Sequence, residues 1–191
     1  FIYSQGKQGS IRQEAKNISP YLVSGSNLAI ESRSKPISEV CPMVYGNKPV
    51  DGGNLLLSTS EKNDLIAACP ASERYIKKAL GSSEFINCKE RWCLWLSGKI
   101  EPYQQYPEIM ARVEKVREMR LGSKDQGARD LANRPHQFRD TKNPASWLLV
   151  PSVSSERRHY IPLGFFDSSV ITTNLNLMIP NAGIYEFGVL T

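Results

Sequence analysis

The hydrophobic pattern of this chain runs from short extended pieces through a helical middle and back to strands. Ile18 to Glu31 (ISPYLVSGSNLAIE) predicts two extended pieces around a turn at Gly25, followed by a basic connector with Arg33, Lys35 and Pro36. Gly46-Asn47-Lys48-Pro49-Val50-Asp51-Gly52-Gly53 is dense in turn formers and leads into the apolar run Leu55-Leu56-Leu57, so a tight loop feeding a buried strand is expected. Gly52 and Gly53 either let backbone approach a phosphate or satisfy positive φ.

Ser58-Thr59-Ser60-Glu61 has the spacing of a capping box, opening a helix that Pro70 interrupts. Tyr75, Ile76 and Ala79 fit one apolar stripe, which predicts a second helix over Ala71 to Leu80 with Gly81 beyond its end. Arg91-Trp92-Cys93-Leu94-Trp95-Leu96 reads as a buried strand whose tryptophans belong to the core. The longest helix is predicted from Pro107, a favoured first-turn residue, to about Gly122, with Ile109, Val113 and Val116 as its seam. Arg117, Arg120 and Lys124 then share one face, either a solvated surface or a basic stripe.

Ser123 to Lys142 is polar, carries Lys124, Arg129, Arg134, Arg139 and Lys142, and has Phe138 as its clearest anchor. Such a segment either runs over the surface or becomes ordered against a polyanion. Trp147–Val150, Val153–Ile161, Val170–Thr173 and Leu175–Ile179 supply four strand-like runs, and Ile184–Leu190 a last apolar piece. The expectation is an α+β fold: twisted, mostly antiparallel or mixed sheets with a few helices, the longest about residues 107–121.

The 191 residues suffice for one domain or a tight pair of subdomains. A net charge of +5 permits phosphate contacts without demanding them. Cys41, Cys69, Cys88 and Cys93 lack paired metal-ligand spacing and are expected to be buried free thiols of a reducing cytoplasm. No apolar run is long enough to span a membrane, and the polar first residues do not resemble a secretory signal. The chain starts at Phe1 without an initiator Met, which suggests a piece of something longer.

Ser154-Ser155-Glu156-Arg157-Arg158-His159-Tyr160-Ile161-Pro162 is the most informative stretch. Read as a strand, it projects Glu156, Arg158 and Tyr160 to one face and Arg157 and His159 to the other. The first set suits base edges: Arg forks onto guanine, Glu accepts from the cytosine amino group, and an aromatic packs on a thymine methyl. Ser154, Ser155 and Arg157 are candidate backbone contacts beside them, with Arg117, Arg120, Arg129, Arg134 and Arg139 holding phosphates elsewhere. The competing reading is an edge strand blunted by charge, in a protein-interaction or scaffold domain.

Catalytic patterns are incomplete. Asn143-Pro144-Ala145-Ser146 begins like the motif that holds a flipped base but lacks its second proline and its aromatic. Glu14-Ala15-Lys16 matches only the end of a metal-nuclease signature, and His136 and His159 lie in polar, Arg-rich stretches. No catalytic, cofactor or metal site is expected within these residues.

Several phrases stand together in order. They are Tyr45-Gly46-Asn47-Lys48-Pro49-Val50-Asp51-Gly52-Gly53-Asn54-Leu55, Arg91 to Leu96, Val150-Pro151-Ser152-Val153 through Leu163-Gly164-Phe165, and Ile179-Pro180-Asn181-Ala182 ahead of Tyr185-Glu186-Phe187-Gly188-Val189-Leu190. From about Ile18 onward the chain resembles the target-recognition domain of MmeI-like type IIL/IIG restriction-modification DNA methyltransferases. The resemblance implies a domain that selects a double-stranded DNA site in a prokaryotic cytoplasm. It implies linked adenine-methyltransferase and nuclease domains in the parent, which use S-adenosylmethionine and Mg2+. Residues 1–17 would then connect to the methyltransferase, and 18–191 would be the recognition domain, possibly divided near residue 100. By motif match the resemblance implies Glu156 and Arg158 as specificity positions, and by position Lys124 or one of its neighbours as a further determinant.

Overall fold

The computed structural model describes residues 1–6, 9–29, 31–34, 39–98, 102–155 and 157–191. Glu156 and the Lys35-Pro36 part of the basic connector lie outside the described residues. The chain divides into two compact units, Phe1–Glu39 and Val40–Thr191. The smaller holds a hairpin of β1 (Ile2–Gly6) and β2 (Gly9–Gln13), in which Arg12 lies 3.5 Å over the Phe1 ring. Its second turn closes through an Ile18–Ser24 bridge, with Leu22 at φ 60°, so the reversal falls at Leu22 rather than at Gly25.

The larger unit is built on two four-stranded sheets. In the first, β3 (Val44–Tyr45), β10 (Asn176–Pro180), β7 (Ser146–Pro151) and β8 (Gly164–Asp167) lie in that order, antiparallel throughout. β7 explains its own sequence. Trp147 and Leu149 pack with Leu80 and Met178, while Leu148 and Val150 face Ile179 and Ala182 under α5 (Ile184–Leu190). A strand covered on both faces needs a continuous apolar run rather than alternation. The Trp147 indole N–H donates to the Asp167 carbonyl at 3.1 Å, so its one polar atom is satisfied.

The second sheet runs β4 (Leu56–Leu57), β6 (Trp92–Leu94), β5 (Ile76–Leu80), β9 (Val170–Thr172), with β5 and β9 parallel. The α+β class with mixed sheets is as expected. The helix expected over Ala71–Leu80 is corrected: Pro70–Tyr75 form a 3-10 turn and Ile76–Leu80 are β5. Lying between β6 and β9, that segment gains ladder partners on both sides, and tertiary pairing overrides a short helical stripe.

Local chemistry elsewhere acts as the sequence suggests. Ser58 caps α1 (Thr59–Ala68) in a reciprocal box with Glu61, whose carboxyl is pulled below its ordinary value, first by the Ser58 backbone N–H. Gly52 and Gly53 adopt φ of 60° and 80°, so their role is conformational. The carboxylate of Asp51 accepts the Leu55 and Leu56 N–H groups at 2.8 and 2.9 Å, which fixes the turn. α3 (Pro107–Leu121) buries Ile109, Val113 and Val116 against Leu57, Tyr75, Leu94 and Trp95. That core draws on residues from both sides of position 100, so no boundary divides the unit there.

A buried polar seam joins the sheets. The Asn47 amide donates to the carbonyls of Lys142 and Thr172 at 2.9 and 3.1 Å and accepts the Lys142 N–H at 2.7 Å. Asn176 donates to the Leu80 carbonyl and the Thr172 hydroxyl, each at 3.1 Å, and accepts from Ser82, the first residue of α2 (Ser82–Ile86), at 2.8 Å. The backbones close here as well, because a Cβ on Gly46 would sit 2.3 Å from the Thr173 carbonyl oxygen. Gly46→Ala is expected to cost about 2–3 kcal/mol by overpacking a site whose neighbour is backbone. A denaturation midpoint equal to that of the parent would refute this close approach.

Candidate nucleic-acid interface

The charged segment Ser152–Leu163 connects β7 to β8, and the flanking strands pair in register as Leu149 with Gly164 and Leu148 with Phe165. No described residue from 153 to 161 is in a strand, which corrects the expected one. Instead the Ser155 carbonyl accepts the Arg158 N–H at 3.0 Å, and its hydroxyl accepts the Arg157 N–H at 3.2 Å. A serine turn of this kind offers the backbone a local alternative to a ladder, and Pro162 has no donor to give one. The alternate-face argument for Glu156, Arg158 and Tyr160 therefore lapses. Their shared membership of one loop replaces it, with Glu156 outside the described residues. The edge-strand reading loses its premise as well, since the edges of this sheet are β3 and β8.

The loop faces solvent. Ser154, Ser155, Arg157, Arg158 and His159 are exposed, and Tyr160 is 73% exposed. Tyr160 thus stands open to solvent in the same loop as two exposed guanidinium groups.

The basic face expected on α3 is not one face. Arg117 is exposed and lies 3.8 Å from Glu114. Lys124 is exposed just ahead of Asp125, which caps α4 (Gln126–Asp130). Arg120, by contrast, is 0% exposed, and this corrects its assignment as a phosphate contact. Its Nε donates to the Val50 carbonyl at 2.8 Å. Nη1 reaches the carbonyls of Leu131 and Arg134, both at 2.9 Å, and Nη2 those of Pro49 and Gln137 at 3.2 and 2.7 Å. All five guanidinium N–H groups are thus consumed by backbone. Burial, then the Arg134 charge, lowers its proton affinity, and Asp51 offsets part of this.

Arg120 explains why Ser123–Lys142 neither wanders nor needs a polyanion to order it. The segment folds around that guanidinium as α4 and a 3-10 turn over Leu131–Asn133, and Phe138 packs edge-on to Trp95 at 5.6 Å. Two other predicted phosphate ligands serve the same end. Arg129 donates to the Ser123 carbonyl at 2.7 Å and Arg134 to the Arg139 carbonyl at 2.7 Å, both half-buried. Arg139 is exposed, pairs with Asp140 at 3.1 Å, and gives its N–H to the Lys48 carbonyl at 2.9 Å. His136 stacks on Tyr103 at 5.4 Å, and burial, then Arg120 and Arg134, hold its imidazole below the ordinary value.

Of the site residues read from the sequence, Arg117, Lys124 and Arg139 are solvent-facing on the α3–α4 side. Ser154, Ser155, Arg157, Arg158 and Tyr160 are solvent-facing on the β7–β8 loop. The four cysteines are free: Cys69 and Cys93 are buried, burial pushes the Cys93 thiol up to about 12, and Cys88 is exposed rather than buried. Among the described residues, no cluster of His, Cys, Asp and Glu is placed to hold a metal.

These features define a mixed α+β domain that presents a charged, aromatic loop from a two-face-covered sheet and carries a basic segment clasped by a buried arginine. The chain belongs to the family described as MmeI, target recognition domain, whose model matches residues 24–191. This bears out the resemblance carried by the ordered phrases. It is 44% identical over 176 residues to DNA methyltransferase A of Bacillus subtilis (strain 168), covering 91% of this chain and 20% of that protein. It is also similar to a solved structure of the type IIL restriction-modification enzyme MmeI in complex with DNA, with a TM-score of 0.79 and 42% identity. That match covers 95% of this chain and 24% of the other. The chain therefore spans only about a fifth to a quarter of the length of these relatives. Among the described residues, no helix is long and apolar enough to cross a membrane.

Proposed function

We propose that this chain is the part of a restriction-modification DNA methyltransferase that selects the double-stranded DNA site, and that it does no chemistry itself. The exposed loop 152–163, held at both ends by paired strands, carries the reading. Arg158 and Glu156 are its base-reading pair, guanidinium to guanine and carboxylate to the cytosine amino group, with Tyr160 against a base or sugar. Arg157, Ser154 and Ser155 hold phosphates beside them, and Arg117, Lys124 and Arg139 do so from the α3–α4 side, with Lys124 also within reach of a base edge. The parent's linked domains methylate adenine from S-adenosylmethionine and cleave with Mg2+, in a bacterial cytoplasm. The similarity to a DNA-bound enzyme and to a DNA methyltransferase supports this assignment.

The test is an exchange of charge, Glu156→Lys with Arg158→Asp, followed by selection of bound duplexes from a randomised pool. Preference at one base pair is expected to change by about 1–3 kcal/mol for each replaced contact, with the rest of the site retained. Loss of all binding, or binding with unchanged preference, would remove the base-reading role from this pair.

A further inference from the structure

A recess at the seam of the two sheets carries polar groups that the fold leaves unused. Pro49, Leu56 and Leu175 give it apolar walls, Glu84, Arg91 and Thr173 line the rest, and it encloses about 290 Å³. Arg91 Nε and Thr173 Oγ1 are buried without a hydrogen-bond partner, and Thr173 is 7% exposed. Buried polar atoms in folded proteins nearly always have partners, so two orphans on residues that line one recess, just behind its wall, point to a group that draws them out when it enters. One oxygen of Glu84 accepts the Gly81 N–H at 2.9 Å, which leaves the other for the recess. A Cβ at position 81 would lie 2.6 Å from Glu84 Oε2 and 3.2 Å from Thr173 Oγ1, so glycine allows these groups to share a wall.

The position is as telling as the chemistry. Pro151 pairs with Asn176, so Thr173 and Leu175 lie at the end of the first sheet from which loop 152–163 departs. Pro49 follows exposed Lys48, whose carbonyl holds exposed Arg139. The recess thus lies at the end of the sheet from which the loop departs.

We propose that this recess takes an unpaired DNA base, an inference that rests on the DNA-recognition reading above. The Watson–Crick edge of every nucleobase, free when the base is unpaired, offers a donor next to an acceptor. The donor suits the Glu84 carboxylate, the acceptor suits Arg91, and the Thr173 hydroxyl serves either. The base faces lie against Leu56, Leu175 and Pro49, the apolar sandwich used wherever a base is read outside its stack. A phosphate would meet the Glu84 carboxylate, and an apolar ligand would leave all three polar groups without partners.

The test titrates the 191-residue chain, with methyl groups labelled for NMR, with deoxycytidine and deoxyadenosine, and separately with deoxyribose 5-phosphate. The nucleosides are expected to shift the Thr173, Leu56 and Leu175 methyls saturably, and the sugar phosphate to leave them in place. Arg91→Met and Glu84→Gln, each with an unchanged circular dichroism spectrum, are expected to weaken nucleoside binding about tenfold, the loss of one charged hydrogen bond. Absence of shifts from the parent chain, shifts from the sugar phosphate alone, or full binding by both folded variants overturns the proposal. Fluorescence anisotropy with a labelled duplex separates the two readings. Duplex binding without nucleoside shifts removes the recess and leaves site recognition standing. Nucleoside shifts without duplex binding at any salt concentration retain a nucleobase pocket and remove the recognition role.

Discussion

Arg120→Met is expected to lower folding stability by about 3–5 kcal/mol, the range for removing one member of a buried charged network. The denaturant midpoint reads this loss. Five carbonyls from three stretches of chain, Pro49–Val50, Leu131–Arg134 and Gln137, each lose a donor together, and those of Leu131 and Arg134 keep only a backbone N–H. Arg120→Lys keeps the charge but brings only three N–H donors on a compact ammonium, so an intermediate loss of about 2 kcal/mol is expected. Since no part of Arg120 is open to solvent, the salt dependence of duplex binding should be unchanged in the folded Arg120→Lys variant. A parental midpoint in Arg120→Met, or a salt slope reduced by one in Arg120→Lys, would show that the guanidinium faces phosphate after all.

Asn176→Leu ranks next. The substitution keeps the branching of the side chain but removes one hydrogen bond each from the Ser82 hydroxyl, the Leu80 carbonyl and the Thr172 hydroxyl, in a seam where Asn176 is 0% exposed. Each of the three keeps another partner, so the loss is that of three hydrogen bonds at about 1 kcal/mol each, and a total near 3 kcal/mol is expected. For a domain of this size that corresponds to a fall in melting temperature of roughly 6–12 °C. An unchanged melting temperature would mean that the sheets are held by their apolar contacts alone.

Much of the scaffold was legible because local signals and tertiary environment agree. Pro107, the Ile109–Val113–Val116 seam and the end near Gly122 define α3, and the Ser58–Glu61 box defines the start of α1. The strand at Trp92–Leu94 and the core position of Trp95 follow from an uninterrupted apolar run. Ile76–Leu80 was misread because three apolar residues satisfy a helical stripe as easily as a strand, and only the partners β6 and β9 decide between them. The charge of Arg120 points to the surface but its spacing points inward: 109, 113, 116 and 120 continue one buried stripe at steps of four, three and four. A cation on an apolar seam belongs inside when carbonyls converge on it, and that convergence comes from loops distant in sequence.

The candidate site was legible in composition and not in geometry. Loop 152–163 stood out as charged and aromatic, yet its serine turn depends on side-chain to backbone bonds that periodicity does not report. Asn47, Asn176 and Ser82 give no sign of their role in the sequence, because lone polar residues beside apolar runs carry no signal until their partners, about 95 positions away, are known.

The β7–β8 connection sets how this domain can diversify. Its described residues from Ser152 to Ile161 are all exposed, whereas Pro151 before it is buried and Gly164 after it fits closely against Phe85 and Phe166. Substitutions within the excursion fall where changes in stability are usually small. The framework can therefore keep its melting point while the excursion drifts through many side-chain combinations, so new preferences can arise without a compensating change in the core.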